Sequence, residues 1–249
     1  MMEKSLENKE FMVYYQPKYS SVDGRPVGAE ALVRWYNEEV GMIYPNEFIP
    51  VFEENGFIAD LDKYMFELVC RDIRSWLDKG YFVVPVSVNV SQLQLYNTRF
   101  IDEYMEIMAE YKITPEYVQL ELTETTLFSE ITILTDIINK LHEKGFKILM
   151  DDFGTGYSSL NMLKNVEVDI LKLDKSFVDD IGDSKGDIVV STIVSLGQML
   201  EMKVVAEGVE TKEQYEFLRD IFCDEIQGYY FCKPISSEEY CEKMVKEAE

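Results

Sequence analysis

Residues 11–35 read FMVYYQPKYSSVDGRPVGAEALVRW. Two apolar runs, 11–16 and 27–35, are rich in β-branched and aromatic residues and separated only by PKYSSVDGRP. A parallel pair needs a crossover of a dozen or more residues, usually a helix. This link is shorter and full of turn formers, so it predicts an antiparallel pair. Further strand-like runs lie at 83–90, 117–123, 146–151, 168–174, 203–208 and 224–228. Segments of helical period fall between most of them, clearest at 61–80, 131–145 and 187–201. Eight strands with returning helices predict an α/β fold, a modified TIM-type (β/α)8 barrel with an antiparallel first strand. Strand count alone leaves an open doubly wound sheet as the competing architecture. Residues 1–10 are expected to be a linker and 11–249 a single domain.

The 249 residues are 47% hydrophobic, enough for a sizeable core, and carry a formal net charge of −23. That balance argues against nucleic acid or an anionic membrane as a partner, since both select for Lys and Arg. A small anionic substrate remains open if local cations neutralise its site. No run of about 18 apolar residues occurs and the first ten residues are polar, so neither a membrane span nor a signal peptide is visible. The expected setting is the cytoplasm, as a domain that could belong to a larger, membrane-anchored protein. Cys70, Cys223, Cys232 and Cys241 show no CxxC or zinc spacing and read as reduced thiols.

The informative residues are the polar ones inside apolar strands. Glu30, Asn89, Glu121, Asp151 with Asp152, Lys172, Glu207 and Gln227 fall in seven strands in turn, in or near their C-terminal halves. In an α/β barrel those ends converge on one face, where catalytic groups gather. A single such residue is more often a helix cap or surface charge; five carboxylates in otherwise apolar strands are not readily explained that way. Strand alternation places Arg34 on the same face as Glu30, nearer the mouth. Five carboxylates against one lysine leave four charges uncompensated, and hard oxygen donors at that density suit Mg²⁺ or Mn²⁺. Asp151 and Asp152 could then serve two adjacent metals, the arrangement of two-metal phosphoryl chemistry.

The run DDFGTGYSS, 151–159, is a poor dinucleotide fingerprint, since Ser159 stands at the third glycine position and two aspartates precede the turn. A mobile loop that brings Asp152 to a second metal, freed by Gly154 and Gly156, fits better. His142, the only histidine, reads as a helix-end residue.

These residues resemble a known family. GAEALVRW contains the Glu-Ala-Leu signature of the EAL domains, cyclic-di-GMP-specific phosphodiesterases. YYQP, EALVRW, FIPVFEENG, VSVNVS, ELTET, DDFGTGYSSL, LKLDKSFV, AEGVET and QGYYFCKP follow in the family's order over nearly the whole chain. The resemblance implies hydrolysis of cyclic di-GMP to linear pGpG with two divalent cations, Mg²⁺ or Mn²⁺. It implies Glu30, Asn89, Glu121 and Asp151 as ligands of one ion and Asp151, Asp152 and Glu207 as ligands of the other. It makes Lys172 the residue that orients and helps activate the attacking water, and Gln16, Arg34 and Gln227 substrate-side or site-ordering residues. Glu124 matches the glutamate that anchors the loop after the fifth strand. Family members pair through helices near that loop and are regulated by other domains, so a homodimer and an upstream sensor are further expectations. A nucleotide receptor without turnover and a phosphodiesterase for another substrate are the alternatives.

Overall fold

The computed structural model describes residues 2–123, 131–154, 163 and 166–247. Its strands are β1 (Phe11–Ser20), β2 (Pro26–Asn37), β3 (Gly41–Ile43), β4 (Val86–Asn89), β5 (Val118–Thr123), β6 (Lys147–Phe153), β7 (Ile170–Leu173), β8 (Lys203–Ala206), β9 (Glu225–Ile226) and β10 (Ile235–Ser236). From β2 through β4 to β9 each strand lies parallel to the next, and β1 closes the ring by pairing antiparallel with both β2 and β9. The result is a closed eight-stranded barrel, which rules out the open sheet and bears out the antiparallel first strand. β3 and β10 are short additions to β2 and β1.

The first strand runs further than the sequence suggests. Pro17 lacks an N–H and reads as a strand stop, yet β1 continues to Ser20. The reason lies in its neighbours. β10 pairs at Tyr14 and Tyr15, β9 at Tyr19 and Ser20, and Pro17 falls in the gap between them. On the other side its register partner Ala29 gives its N–H to the Pro85 carbonyl at 3.0 Å, so the missing proline donor interrupts no ladder bond there.

Helices cover the barrel as their apolar spacing dictates. The helix Ile58–Asp78 buries Leu61, Met65, Leu68, Val69, Ile73 and Trp76, one stripe at helical period. Each such side chain contributes roughly 1.5–3 kcal/mol of transfer free energy. Residues 1–10, expected as a linker, include a helix, Met2–Glu7, whose Met2 and Leu6 pack against the core. Glu10 then fastens the segment to β2, its carboxylate accepting from Trp35 Nε1 at 2.9 Å and Asn37 Nδ2 at 3.3 Å. Among the described residues no helix is long and apolar enough to cross a membrane.

Candidate active site

Strand alternation and parallel register bring the polar residues together at the C-terminal ends of the parallel strands. Glu30 is the cross-strand partner of Gln16, and Asn89 that of Glu121. Lys172, 1% exposed, projects into the middle of this layer. Its Nζ lies 2.9 Å from Glu121 Oε1, 3.0 Å from Asp151 Oδ1, 2.5 Å from Glu207 Oε1 and 3.4 Å from Glu30 Oε2. Four carboxylates from four segments thus meet on one ammonium.

Both oxygens of Glu30 are held. Asn89 Nδ2 donates to Oε1 at 3.3 Å and Gln227 Nε2 donates to Oε2 at 2.6 Å. Gln227 also donates to Gln16 Oε1 at 3.1 Å, and Gln16 in turn donates to the Cys232 carbonyl at 3.2 Å. These amides lock one carboxylate in place without adding charge.

Asp152 reaches the site by a break in the strand. The β6–β7 register shifts between Met150 and Phe153, and Asp152 takes a left-handed conformation, φ 56°, with its N–H bonded to Asp151 Oδ1 at 2.9 Å. For a non-glycine residue that conformation costs about 1–2 kcal/mol. The bulge lets consecutive residues line the same cavity where ideal alternation would send them to opposite faces.

Burial and crowding set the protonation of the cluster. Desolvation raises the carboxyl of Glu30, with the Glu121 charge adding to it. Desolvation likewise pushes Glu207 up to about 8 against the partial opposition of Lys172, and raises Asp152 together with the Asp151 charge. Glu121 is the exception: burial works to raise it, but Lys172 and then Lys18 hold it at about 2. Lys172 is lifted well above its ordinary value because its carboxylates, Glu121 first, overcome its desolvation. The site therefore holds more carboxylate than its cations can keep ionised.

The cluster borders two cavities. The larger, about 770 Å³, is lined by Asn89, Asp151 and Asp152 on one side and by Ile49, Asp62 and Met65 among others. The smaller, about 330 Å³, is lined by Gln16, Glu30, Glu207, Gln227, Lys175 and Tyr229 among others. Arg34 is half-buried and makes no ion pair among the described residues. Its Nη1 donates to the Val33 carbonyl at 2.8 Å and its guanidinium lies 5.5 Å from the centre of the Tyr14 ring.

Sequence reasoning missed three buried polar groups here. Lys18 sits in the stretch read as a turn, beyond Pro17. Ser87 looks like an ordinary small residue of a strand. Asp62 lies within a helical pattern, where a carboxylate reads as the wet face, yet it is buried, accepts the Ser91 N–H at 2.8 Å and is pushed by desolvation up to about 7. Glu124, the expected loop anchor, and Gly156 lie outside the described residues. His142 bonds Asp169 Oδ2 at 3.0 Å, beside Lys147 and Lys203 at the N-terminal ends of β6 and β8, and the four cysteines are free.

As the side chains stand, no group of three Asp, Glu, His or Cys among the described residues forms a cluster at metal-holding spacing. The donor set nevertheless fits a hard divalent cation. Glu121 Oε2 is buried with no hydrogen-bond partner, beside an excess of carboxylate oxygens.

The family model described as EAL domain matches residues 1–234. A bifunctional diguanylate cyclase/cyclic di-GMP phosphodiesterase of Pseudomonas aeruginosa, MucR, is 36% identical over 96% of this chain and 35% of its own length. The cyclic di-GMP phosphodiesterase NbdA of the same organism is 37% identical over 94% of this chain and 30% of its own. The chain spans about a third of the length of the curated relatives it matches. A solved structure of the PaMucR phosphodiesterase in a c-di-GMP complex superposes with a TM-score of 0.91 at 36% identity, covering 96% of this chain and 97% of that one.

Proposed function

This chain belongs to the EAL domain family, and from that premise we propose that it is a phosphodiesterase that opens cyclic di-GMP to linear pGpG with the help of divalent cations. The observation that carries the reading is the convergence of Glu30, Glu121, Asp151 and Glu207 on Lys172 at the mouth of the barrel. The names of relatives that cover most of the chain support the substrate.

Glu30, Asn89, Glu121 and Asp151 would hold one ion and Asp151, Asp152 and Glu207 the other. When bound, Mg²⁺ or Mn²⁺ would supply Lewis-acid polarisation of the phosphoryl oxygens and a lowered pKa for water. The residues of the chain do the rest. Gln16, Asn89 and Gln227 fix Glu30, so a reacting phosphodiester meets a preorganised wall. Lys172 orients the attacking water through its N–H donors. The surrounding carboxylates, Glu121 first, hold its amine protonated against desolvation; with their charge offset by bound cations, that amine would be free to assist removal of the water's proton. Arg34, half-buried beside the aromatic ring of Tyr14, is placed to turn onto a phosphate. Asp62 gives the larger cavity a buried acceptor for the N–H edge of a guanine, and the smaller cavity has room for part of the other half of the dinucleotide.

The test is incubation of the purified chain with cyclic di-GMP and Mg²⁺, with an EDTA control and chromatographic separation of products. The expected result is pGpG with metal and none with EDTA. Tight binding without product would make the chain a receptor and sink the catalytic reading.

A further inference from the structure

Strand β1 carries a second buried ammonium that the proposed chemistry does not use. Lys18 is 1% exposed and lies on the inward face two residues beyond Gln16. Because β1 runs against the other strands, each inward step along it descends from the mouth, so Lys18 sits beneath the layer that holds Glu30. Its stem runs beside Gly28, its register partner, where a Cβ would stand 3.6 Å from Lys18 Cδ. Its Nζ donates to Ser87 Oγ at 2.8 Å and to Glu121 Oε1 at 3.3 Å, and Ser87 Oγ donates to the Ala29 carbonyl at 3.3 Å.

The two oxygens of Glu121 are therefore treated differently. Oε1 lies between two ammoniums, Lys172 at 2.9 Å and Lys18 at 3.3 Å, and Oε2 is buried with no hydrogen-bond partner. The two lysines differ as well. Lys172 is shared among four carboxylates and has work to do at the water. Among the described residues Lys18 has one carboxylate, and Ser87 ties it to the barrel wall. We propose that Lys18 is a positioning residue for cation binding: it clamps Glu121 by Oε1 from below, so that Oε2 is presented to a divalent cation even when Lys172 turns away.

This rests on the two-cation reading above, and the experiment separates the two. Binding of Mn²⁺ alone to the apo protein is measured by calorimetric titration for the wild type, Lys18→Met, Ser87→Ala, Glu121→Gln and the double variant Lys18→Met/Glu121→Gln. Loss of an outer partner of a ligand typically weakens metal affinity about 10–100-fold. Lys18→Met is expected to fall in that range and Ser87→Ala to show a smaller loss in the same direction. In the Glu121→Gln background, Lys18→Met is expected to add little, since its target charge is already gone. At saturating Mn²⁺ the KM for cyclic di-GMP is expected to stay within about twofold of wild type, with the change confined to the metal dependence.

Mn²⁺ binding by Lys18→Met within twofold of wild type, or a loss that simply adds to that of Glu121→Gln, would overturn the role of Lys18 alone. No Mn²⁺ binding by the wild type would overturn the two-cation reading and this inference with it. Should Lys18→Met fail to fold, Ser87→Ala decides, because it removes one hydroxyl and leaves both charges. Unchanged Mn²⁺ affinity in that variant then refutes the clamp.

Discussion

Lys172 and Lys175 are three residues apart and sit in different physical worlds. Lys172 is 1% exposed and meets four carboxylates; Lys175 is 45% exposed and meets two, Asp179 at 2.9 Å and Glu210 at 3.0 Å. On paper both are lysine–carboxylate pairs of ordinary length. Inside the barrel, however, water cannot screen the repulsion among Glu30, Glu121, Asp151 and Glu207, so one ammonium holds them together while some carboxyls are driven towards their neutral form. Outside, solvent screens the Lys175 pairs and their long side chains lose entropy on pairing, which leaves little net stabilisation. A charge cluster that costs the fold so much desolvation has its rationale in chemistry rather than in stability.

Removing a buried carboxylate is the harshest way to break this contrast. Glu30→Ala is expected to abolish pGpG formation, a loss on the order of 10³-fold or more, read by chromatography of the product. Full activity in that variant would contradict the assignment of the cluster. Lys172→Met removes the ammonium instead. In EDTA it is expected to lower the unfolding free energy in urea by about 3–5 kcal/mol, because four carboxylates, two of them (Glu30 and Glu121) buried, lose their shared partner. An unchanged midpoint would mean that the cluster relaxes without it.

Asp62 is the opposite case, a buried carboxyl with no ion-pair partner among the described residues. Glu121, between two ammoniums, is held at about 2; Asp62 is pushed up from 3.8 to about 7 by burial. A raised carboxyl pKa means that the folded chain keeps a proton which the unfolded chain has released. The resulting stability is present at low pH and is lost as pH rises from about 4 to 7, by roughly 4 kcal/mol in all. Asp62→Asn is expected to flatten that part of the profile, measured by urea unfolding across the range, and identical profiles would refute the burial argument. The smallest effect belongs to Lys175→Met, expected to change stability by less than about 1 kcal/mol, with the little it contributes fading in high salt. A loss as large as that of Lys172→Met would erase the distinction altogether.

Much of this was legible in the sequence because it rests on patterns that neighbours cannot disguise. Eight apolar runs gave eight barrel strands, and the short link at 17–26 announced the antiparallel one. Glu30, Glu121, Asp151, Lys172, Glu207 and Gln227 stood out because polar residues at the ends of apolar strands have few bland explanations. Lys18 was hidden by Pro17, since the strand survives the proline only through a pairing gap made by β9 and β10, which lie some two hundred residues away. Asp62 was hidden by helical period, which tells where a side chain points but not whether a neighbouring element covers it. Arg34 was legible in its strand face, but its turn towards Val33 and Tyr14 depends on contacts no spacing encodes.

The closure of the ring by β1 has a consequence for how this chain behaves in a crowded solution. An open sheet of the same strands would expose two long rows of unpaired amides and carbonyls, a template on which another chain can add. Here the eight ring strands serve as one another's neighbours, and the strands that hang outside the ring, β3 and β10, are three and two residues long. Such stubs offer too little length for a foreign strand to register on, and a net charge of −23 opposes non-specific aggregation. The strand that runs the wrong way is thus also the one that leaves the sheet no edge longer than these stubs.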